Sequence, residues 1–171
     1  MQSAIYWIQR LQLTPHPEGG YFVETYRSAH MLATAHLPAA YDAPRAMATA
    51  IYFLLEGGDF SAFHRLKGDE IWHYHEGSPL TVHRISPDGT LIQSSLGRDP
   101  DAGQDLQLLI PAGTWFAATV DDPSGYGLVG CTMTPGFAFA DLELGNRGAL
   151  LRSYPRHRAL IEKLTRPGRG D

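Results

Sequence analysis

The sequence holds a single cysteine, Cys131, among 171 residues. That excludes an intrachain disulfide and a Cys-based zinc site. Cys131 lies in the apolar run LVGCTM and reads as a small buried hydrophobe rather than a reactive thiol. Long apolar runs are missing too. The longest, 46–55, has about ten residues and includes Thr49, against the ~18–20 needed to cross a bilayer. The start, MQSAIYWIQRLQL, has no basic leader and no A-x-A cleavage site, and Gln9 and Arg10 interrupt it. A secretory signal is therefore not read there, and the expectation is a cytoplasmic protein with no membrane partner. Neither charge sign is in large excess: 14 Lys+Arg stand against 18 Asp+Glu, for −4 with neutral His. Without a basic footprint, nucleic acid is not an expected partner. Hydrophobic residues at 43% and aromatics at 11% exclude disorder as the dominant state. Histidine, in contrast, is plentiful, and eight His beside one Cys raise the question of an imidazole-based metal site.

A chain of this length buries roughly two-thirds of its unfolded surface and can build a core without staples. No repeat or linker is visible, so residues 1–171 read as one domain. Apolar positions at Ile5, Ile8 and Leu11 behind Ser3 predict a short helix over 3–12, ended by Pro15, Pro17, Gly19 and Gly20. YFVETYR (21–27) alternates as a strand does. Residues 29–45 are Ala-rich and Pro-containing and predict a loop or flap. From 46 to 144, short apolar segments alternate with turn formers at roughly ten-residue spacing, the signature of an all-β sandwich or barrel. The last of these segments is FAFADLEL, 137–144. A second helix follows Pro155, with Leu160, Ile161 and Leu164 on one face, and the tail 165–171 is expected to fray.

The chemistry-bearing segment is GDFSAFHRLKGDEIWHYHEG, 58–77. Side chains alternate faces along a strand. If Lys67-Gly68-Asp69 turns a hairpin, His64 and Glu70 come close across it, with Trp72 and Tyr74 on the face of Glu70. A His, a carboxylate and two aromatics on one face make a ligand-pocket wall, and a carboxylate beside a His suits general-base work.

These residues resemble the first motif of the cupin superfamily, G-x5-H-x-H-x3-4-E-x6-G. Gly58, His64, Glu70 and Gly77 fall in register, and Leu66 stands where the second His belongs. Of the second motif, G-x5-P-x-G-x2-H-x3-N, Pro111 and Gly113 match. Asp105, Phe116 and Val120 take its Gly, His and Asn positions. Beyond the motifs, HPEGGYFVETYRS, AIYFLLEGGDFSAFHRLKGDEIWHYHEGSPL, LIPAGTWFAA and GLVGCTMTPGFAFADLELG resemble cupin family 5, a group of small single-domain cupins. The resemblance implies a jelly-roll β-barrel, its core at about 46–144, with short terminal helices, an internal cleft and a homodimer. It also implies a metal held by three His and one Glu. With Leu66 and Phe116 at two of those positions, no cofactor is expected, and a divalent ion, if any, would rest on His64 and Glu70.

Within that cleft His64 is read as a base, Glu70 as its orienter and Tyr74 as the acid that returns the proton. Trp72, Phe116, Tyr21 and Glu24 are read as ligand contacts. Glu18, Tyr21, Glu24 and Arg27 read either as a solvated edge or as a rim orienting a polar ligand. Strand parity puts His73 and His75 outside, as surface or interface residues. His83 is expected at solvent or a subunit contact, and His157 at a polar helix start. His16 is placed in a turn, and His30 and His36 in the loop. Trp115, Phe137 and Phe139 read as core, and Gly19-Gly20 is a weak phosphate-loop signal. Three functions stay open: a metal-independent isomerase or epimerase of a carbonyl or sugar-like metabolite, a non-catalytic metabolite binder, and a metal enzyme with a non-standard ligand set.

Overall fold

The computed structural model describes residues 2–166. Helix α1, Ala4–Leu11, is capped by Ser3, whose Oγ accepts from the Tyr6 amide at 3.2 Å. The strands follow as β1 Thr14–Pro15, β2 Tyr21–Arg27, β3 Met31–Leu32, β4 Arg45–Ala46, β5 Thr49–Glu56, β6 Phe60–Leu66, β7 Glu70–Gly77, β8 Leu80–Ile85, β9 Leu91–Leu96, β10 Gln104–Asp105, β11 Gln107–Ile110, β12 Trp115–Val120, β13 Tyr126–Met133 and β14 Leu142–Leu144. Helices α2, Arg147–Ser153, and α3, Arg158–Lys163, complete the described chain. The strands form two sheets, ordered β1-β2-β5-β13-β7-β11 and β10-β9-β8-β12-β6-β14, with β3 and β4 paired apart.

Alternation along these strands sends one set of apolar side chains between the sheets. Phe53, Trp72, Val129, Cys131 and Met133 from the first sheet meet Leu66, Val82, Leu96, Phe116 and Val120 from the second. The helices cover the outer faces. Trp7, Ile8 and Leu11 of α1 pack on Leu54, Tyr126 and Leu128. Leu150, Ile161 and Leu164 of the C-terminal helices pack on Phe63, Ile85 and Trp115. Each fully buried aliphatic or aromatic side chain stabilises the fold by about 1.5–3 kcal/mol. Apart from the parallel β9–β10 pair, the sheets are antiparallel, the jelly-roll arrangement that the family resemblance implies.

Several local expectations are corrected. β6 and β7 do not form a hairpin. Lys67-Gly68-Asp69 carries the chain from one sheet to the other, so β7 pairs with β13 and β11 while β6 pairs with β12 and β14. The 29–45 segment is mostly loop, as expected, and is tied at its end by Arg45, 5% exposed, which makes two 2.6 Å bonds to the Asp141 carboxylate. The strand expected over 137–144 is reduced to Leu142–Leu144, because a 3-10 turn at Phe139–Asp141 presents Asp141 to Arg45. His83 is buried, not solvent-facing: its Nδ1 accepts from Gln93 Nε2 at 2.9 Å, and its Nε2 lies 3.3 Å from Thr119 Oγ1. The tail begins ordered, since Thr165 Oγ1 donates to the Ile161 carbonyl and Arg166 reaches Asp59 at 2.7 Å. Residues 167–171 lie outside the described residues.

Candidate functional site

A cavity of about 100 Å³ opens between the sheets. Its charged and imidazole side chains are His16, Glu18, Glu24, Arg27, His64 and Glu70, set among Phe22, Phe53, Trp72, Phe137 and Phe139.

Irregularities in three strands decide which side chains reach it. In β6 the register slips against β12, from Phe116↔His64 to Ala118↔Ser61. Strict alternation would turn Ser61 and His64 to opposite faces; the bulge lets both reach one carboxylate. In β2 a slip between Glu24 and Tyr26 places Arg27 opposite Thr49, so Arg27 shares the inner face with Phe22 and Glu24. In β7 the partner shifts between Tyr74↔Val129 and Glu76↔Leu128, leaving His75 unpaired.

The carboxylate that His64 meets is Glu18. His64 Nε2 lies 3.0 Å from Glu18 Oε2, and Ser61 Oγ donates to Glu18 Oε1 at 3.0 Å. Glu18 arrives on the turn before β2. The Ala62 amide donates to the Glu18 carbonyl, and the Gly20 amide donates to Asp59. The turn presses so close that a Cβ at Gly19, which has φ +117°, would sit 2.2 Å from the Phe60 carbonyl oxygen. The two glycines thus serve close approach, not phosphate binding. His16, on the same turn, has Nδ1 3.4 Å from Glu18 Oε2 and its ring edge-on to Phe22 at 4.7 Å.

His64 Nδ1 lies 2.7 Å from the Ala62 carbonyl, which can only accept, so Nδ1 carries a proton. Burial holds the His64 pKa below its ordinary value, countered in part by the Ala62 bond and the Glu70 charge. A neutral ring then presents a bare Nε2 to Glu18, and the 3.0 Å contact requires a proton between them. Burial raises the Glu18 pKa from 4.5 to about 7, countered by His16 and Ser61. One proton therefore sits on the Oε2–Nε2 bridge near neutral pH and belongs to the pair.

Glu70 approaches from the opposite sheet. Its Oε2 accepts from Trp72 Nε1 at 2.8 Å, and the Cys131 thiol also donates to it. Burial, then the charge of Glu18, raises its pKa to about 7. Burial and the two carboxylates push the Cys131 thiol well up, so it stays protonated.

His64, Glu70, Trp72 and Glu24 line one cavity, Glu24 gripping Arg27 at 2.9 and 2.6 Å. Three other expected contacts do not line it. Tyr74 donates its hydroxyl to the Gly77 carbonyl at 2.6 Å. Tyr21 packs outward with α1, because odd positions at the start of β2 face away from the core. Phe116 is fully buried against the His64 ring, centroids 4.0 Å apart, and supports that ring. His16 was read as a turn residue and Glu18 as part of a solvated edge or of a ligand rim; the cavity lining holds both, with Glu24 and Arg27 of the same polar set. His73 bonds Thr132, and His75 lies over Gly130 beside Tyr52; neither lines the cavity.

The four-ligand metal set of the fold does not fit these residues. Leu66 and Phe116 offer no donor atoms, and both nitrogens of His64 are engaged by Ala62 and Glu18. Among the described residues, no group of three or more His, Cys, Asp or Glu is arranged to hold a metal ion.

Two facing jelly-roll sheets around an inner cavity, with His64 and Glu70 in motif register, define a cupin. The chain belongs to the cupin superfamily (DUF985), whose sequence pattern matches residues 5–145. It is similar to a protein of Shewanella oneidensis known from its X-ray crystal structure, with 43% identity over 98% of this chain and 100% of that one, TM-score 0.87. A hypothetical protein from Leishmania major is 36% identical over 96% of this chain and 99% of that one, TM-score 0.86. Oxalate decarboxylase from Bacillus subtilis shares the fold alone, at 12% identity and TM-score 0.53, over 90% of this chain and 37% of that one. No curated protein matches the chain. Among the described residues, no helix is long and apolar enough to cross a membrane.

Proposed function

We propose that this cupin binds a small metabolite between its sheets and shifts a proton on it without a metal, as an isomerase does. The observation that carries the reading is the 3.0 Å Glu18–His64 bridge, with the other His64 nitrogen committed to Ala62. A base works best when its pKa lies near the working pH, and burial brings Glu18 there. In its ionised form the pair takes a proton from a carbon beside a carbonyl, and the electron pair moves onto the carbonyl oxygen as an enolate. The pair then returns the proton from the same side, to the neighbouring atom, which completes an isomerisation. No oxidant or reductant is needed. Glu70, held by Trp72 and Cys131, orients the substrate. Tyr74 has no part in the cycle, because its hydroxyl is spent on Gly77. The fold itself supplies no warrant for the reaction; the buried pair does.

The test uses small molecules extracted from the purified protein and identified by mass spectrometry. Fresh wild-type protein in D₂O is expected to place deuterium on one carbon of the bound compound, and Glu18→Gln to place none. A compound recovered unlabelled and unchanged from the wild type refutes catalysis and leaves a metabolite-binding protein.

A further inference from the structure

The proposed function says little about the ligand, but the cavity's charge distribution says more. Three carboxyl side chains line the cavity, Glu18, Glu24 and Glu70, against one cation, Arg27. Arg27 is already used. It grips both oxygens of Glu24 and donates to the Phe137 carbonyl at 3.1 Å, which leaves this pair close to neutral at the cavity mouth. Glu18 and Glu70 differ. Their partners are Ser61, His64, His16, Trp72 and Cys131, none with a fixed positive charge.

The walls around these carboxyls are aromatic. Phe53 and Trp72 lie with centroids 5.6 Å apart, and Phe137 and Phe139 meet edge-on at 5.1 Å. Ring faces carry negative charge density and attract organic cations, most strongly where water is excluded. An anion would meet two carboxyls with no free cation to offset them. A polyhydroxylated neutral compound would need many hydrogen-bonding partners, and most of this wall cannot offer them.

We propose that the cavity takes a small organic cation, an amine protonated on nitrogen, with its charge beside Glu70 and its carbon skeleton against the phenyl rings. This rests on the reading of the cavity as the ligand site and names the ligand class. It also divides the labour of the two carboxyls: Glu70 anchors the ammonium group, and Glu18 with His64 remains free to move a proton. An ammonium group on the carbon that loses its proton makes that carbon more acidic, so an amine ligand is compatible with the proposed chemistry.

The test is calorimetric titration of the full-length protein with three probes of one shape: butylammonium, butanol and butyrate. At pH 8 butylammonium is expected to bind at least about tenfold tighter than butanol, with butyrate weakest. Between pH 8 and pH 6 Glu18 and Glu70 take up protons, while burial opposes protonation of His16 and His64 and holds the Cys131 thiol protonated. Glu24 stays paired with Arg27. Butylammonium affinity is expected to fall about tenfold over this range and butanol affinity to hold. Glu70→Gln, checked for folding by its thermal melt, is expected to bring the two probes within about threefold of each other. The pH comparison on wild-type protein needs no variant.

Equal binding of butanol and butylammonium, tighter binding of butyrate, or no binding of any probe overturns the cation assignment. Ile51→Trp, which fills the cavity, separates the two readings. If it abolishes binding of probes that bind equally, the ligand site stands and only the charge preference falls. If probes bind the wild type and Ile51→Trp alike, the cavity is not where ligands bind, and both fall.

Discussion

Replacing Glu18 by Gln is expected to make the protein more stable at pH 8, with the gain shrinking to under about 1 kcal/mol at pH 5. The carboxyl is 6% exposed, and burial raises its pKa from 4.5 to about 7. The unfolded chain gives up this proton near pH 4.5, while the folded chain holds it to about pH 7. Stability from this group is therefore fully present below pH 4.5 and is lost as pH rises through 7. A shift of about 2.5 units at 1.36 kcal/mol per unit sets a ceiling of about 3 kcal/mol on the cost of ionisation. Glutamine keeps the shape and a hydrogen on the bridge to His64 Nε2, and it cannot ionise. Its charge is also removed from Glu70, whose pKa it helps to raise. The expected gain at pH 8 is about 1–3 kcal/mol, or roughly 2–10 °C in Tm for a chain of this size. His16 and His64 are pushed down by burial and cost stability as pH falls. The measurement must therefore be the difference between variant and wild type, by urea unfolding at pH 5, 6, 7 and 8. A difference that does not change with pH refutes the shared-proton bridge. So does a variant that loses stability at pH 8.

Four further outcomes are expected. Asp141→Asn strips the carboxylate from Arg45, both groups being at most 5% exposed, and should cost about 3–5 kcal/mol in urea unfolding; a loss under 1 kcal/mol would mean the pair is not buried in solution. Gly19→Ala forces a Cβ onto the Phe60 carbonyl at a left-handed φ and should lower stability by more than about 2 kcal/mol, with butylammonium binding weakened as Glu18 is displaced; tolerance of the change would place the turn elsewhere. Tyr74→Phe removes only the bond to Gly77, so about 1 kcal/mol of stability should be lost while deuterium incorporation persists; loss of incorporation would restore Tyr74 to the site. Cys131 should react with a thiol reagent at least about a hundredfold more slowly in native than in unfolded protein, and a fast native reaction would contradict its buried, protonated state.

The strand pattern was legible where apolar segments stand between turn formers. β2 at Tyr21–Arg27 falls where the alternation of YFVETYR puts it, although a register slip between Glu24 and Tyr26 interrupts its pairing. Helix α2, Arg147–Ser153, was not read from the sequence. His64 and Glu70 were legible because the motif spacing points them inward. Their mode of approach was not. The short KGD link reads as a hairpin locally, and only the pairing of β6 with β12 and of β7 with β13 shows it to be a corner between sheets.

Composition and spacing, taken alone, determined the all-β class as a sandwich or barrel. The resemblance to the cupin motifs added the jelly-roll fold, the inward His64 and Glu70, and the loss of two metal-ligand positions to Leu66 and Phe116. Both readings rest on side-chain period and motif spacing, which are local. The tertiary structure decided that the partner of His64 is Glu18, forty-six positions earlier in the sequence and carried inward by a glycine turn. It also decided that a bulge in β6 turns Ser61 to the same carboxylate, and that Tyr74 is spent on its own strand. A bulge inverts every parity argument beyond it, and contact between distant turns depends on how two sheets close on each other. Neither is encoded in any short window of the chain.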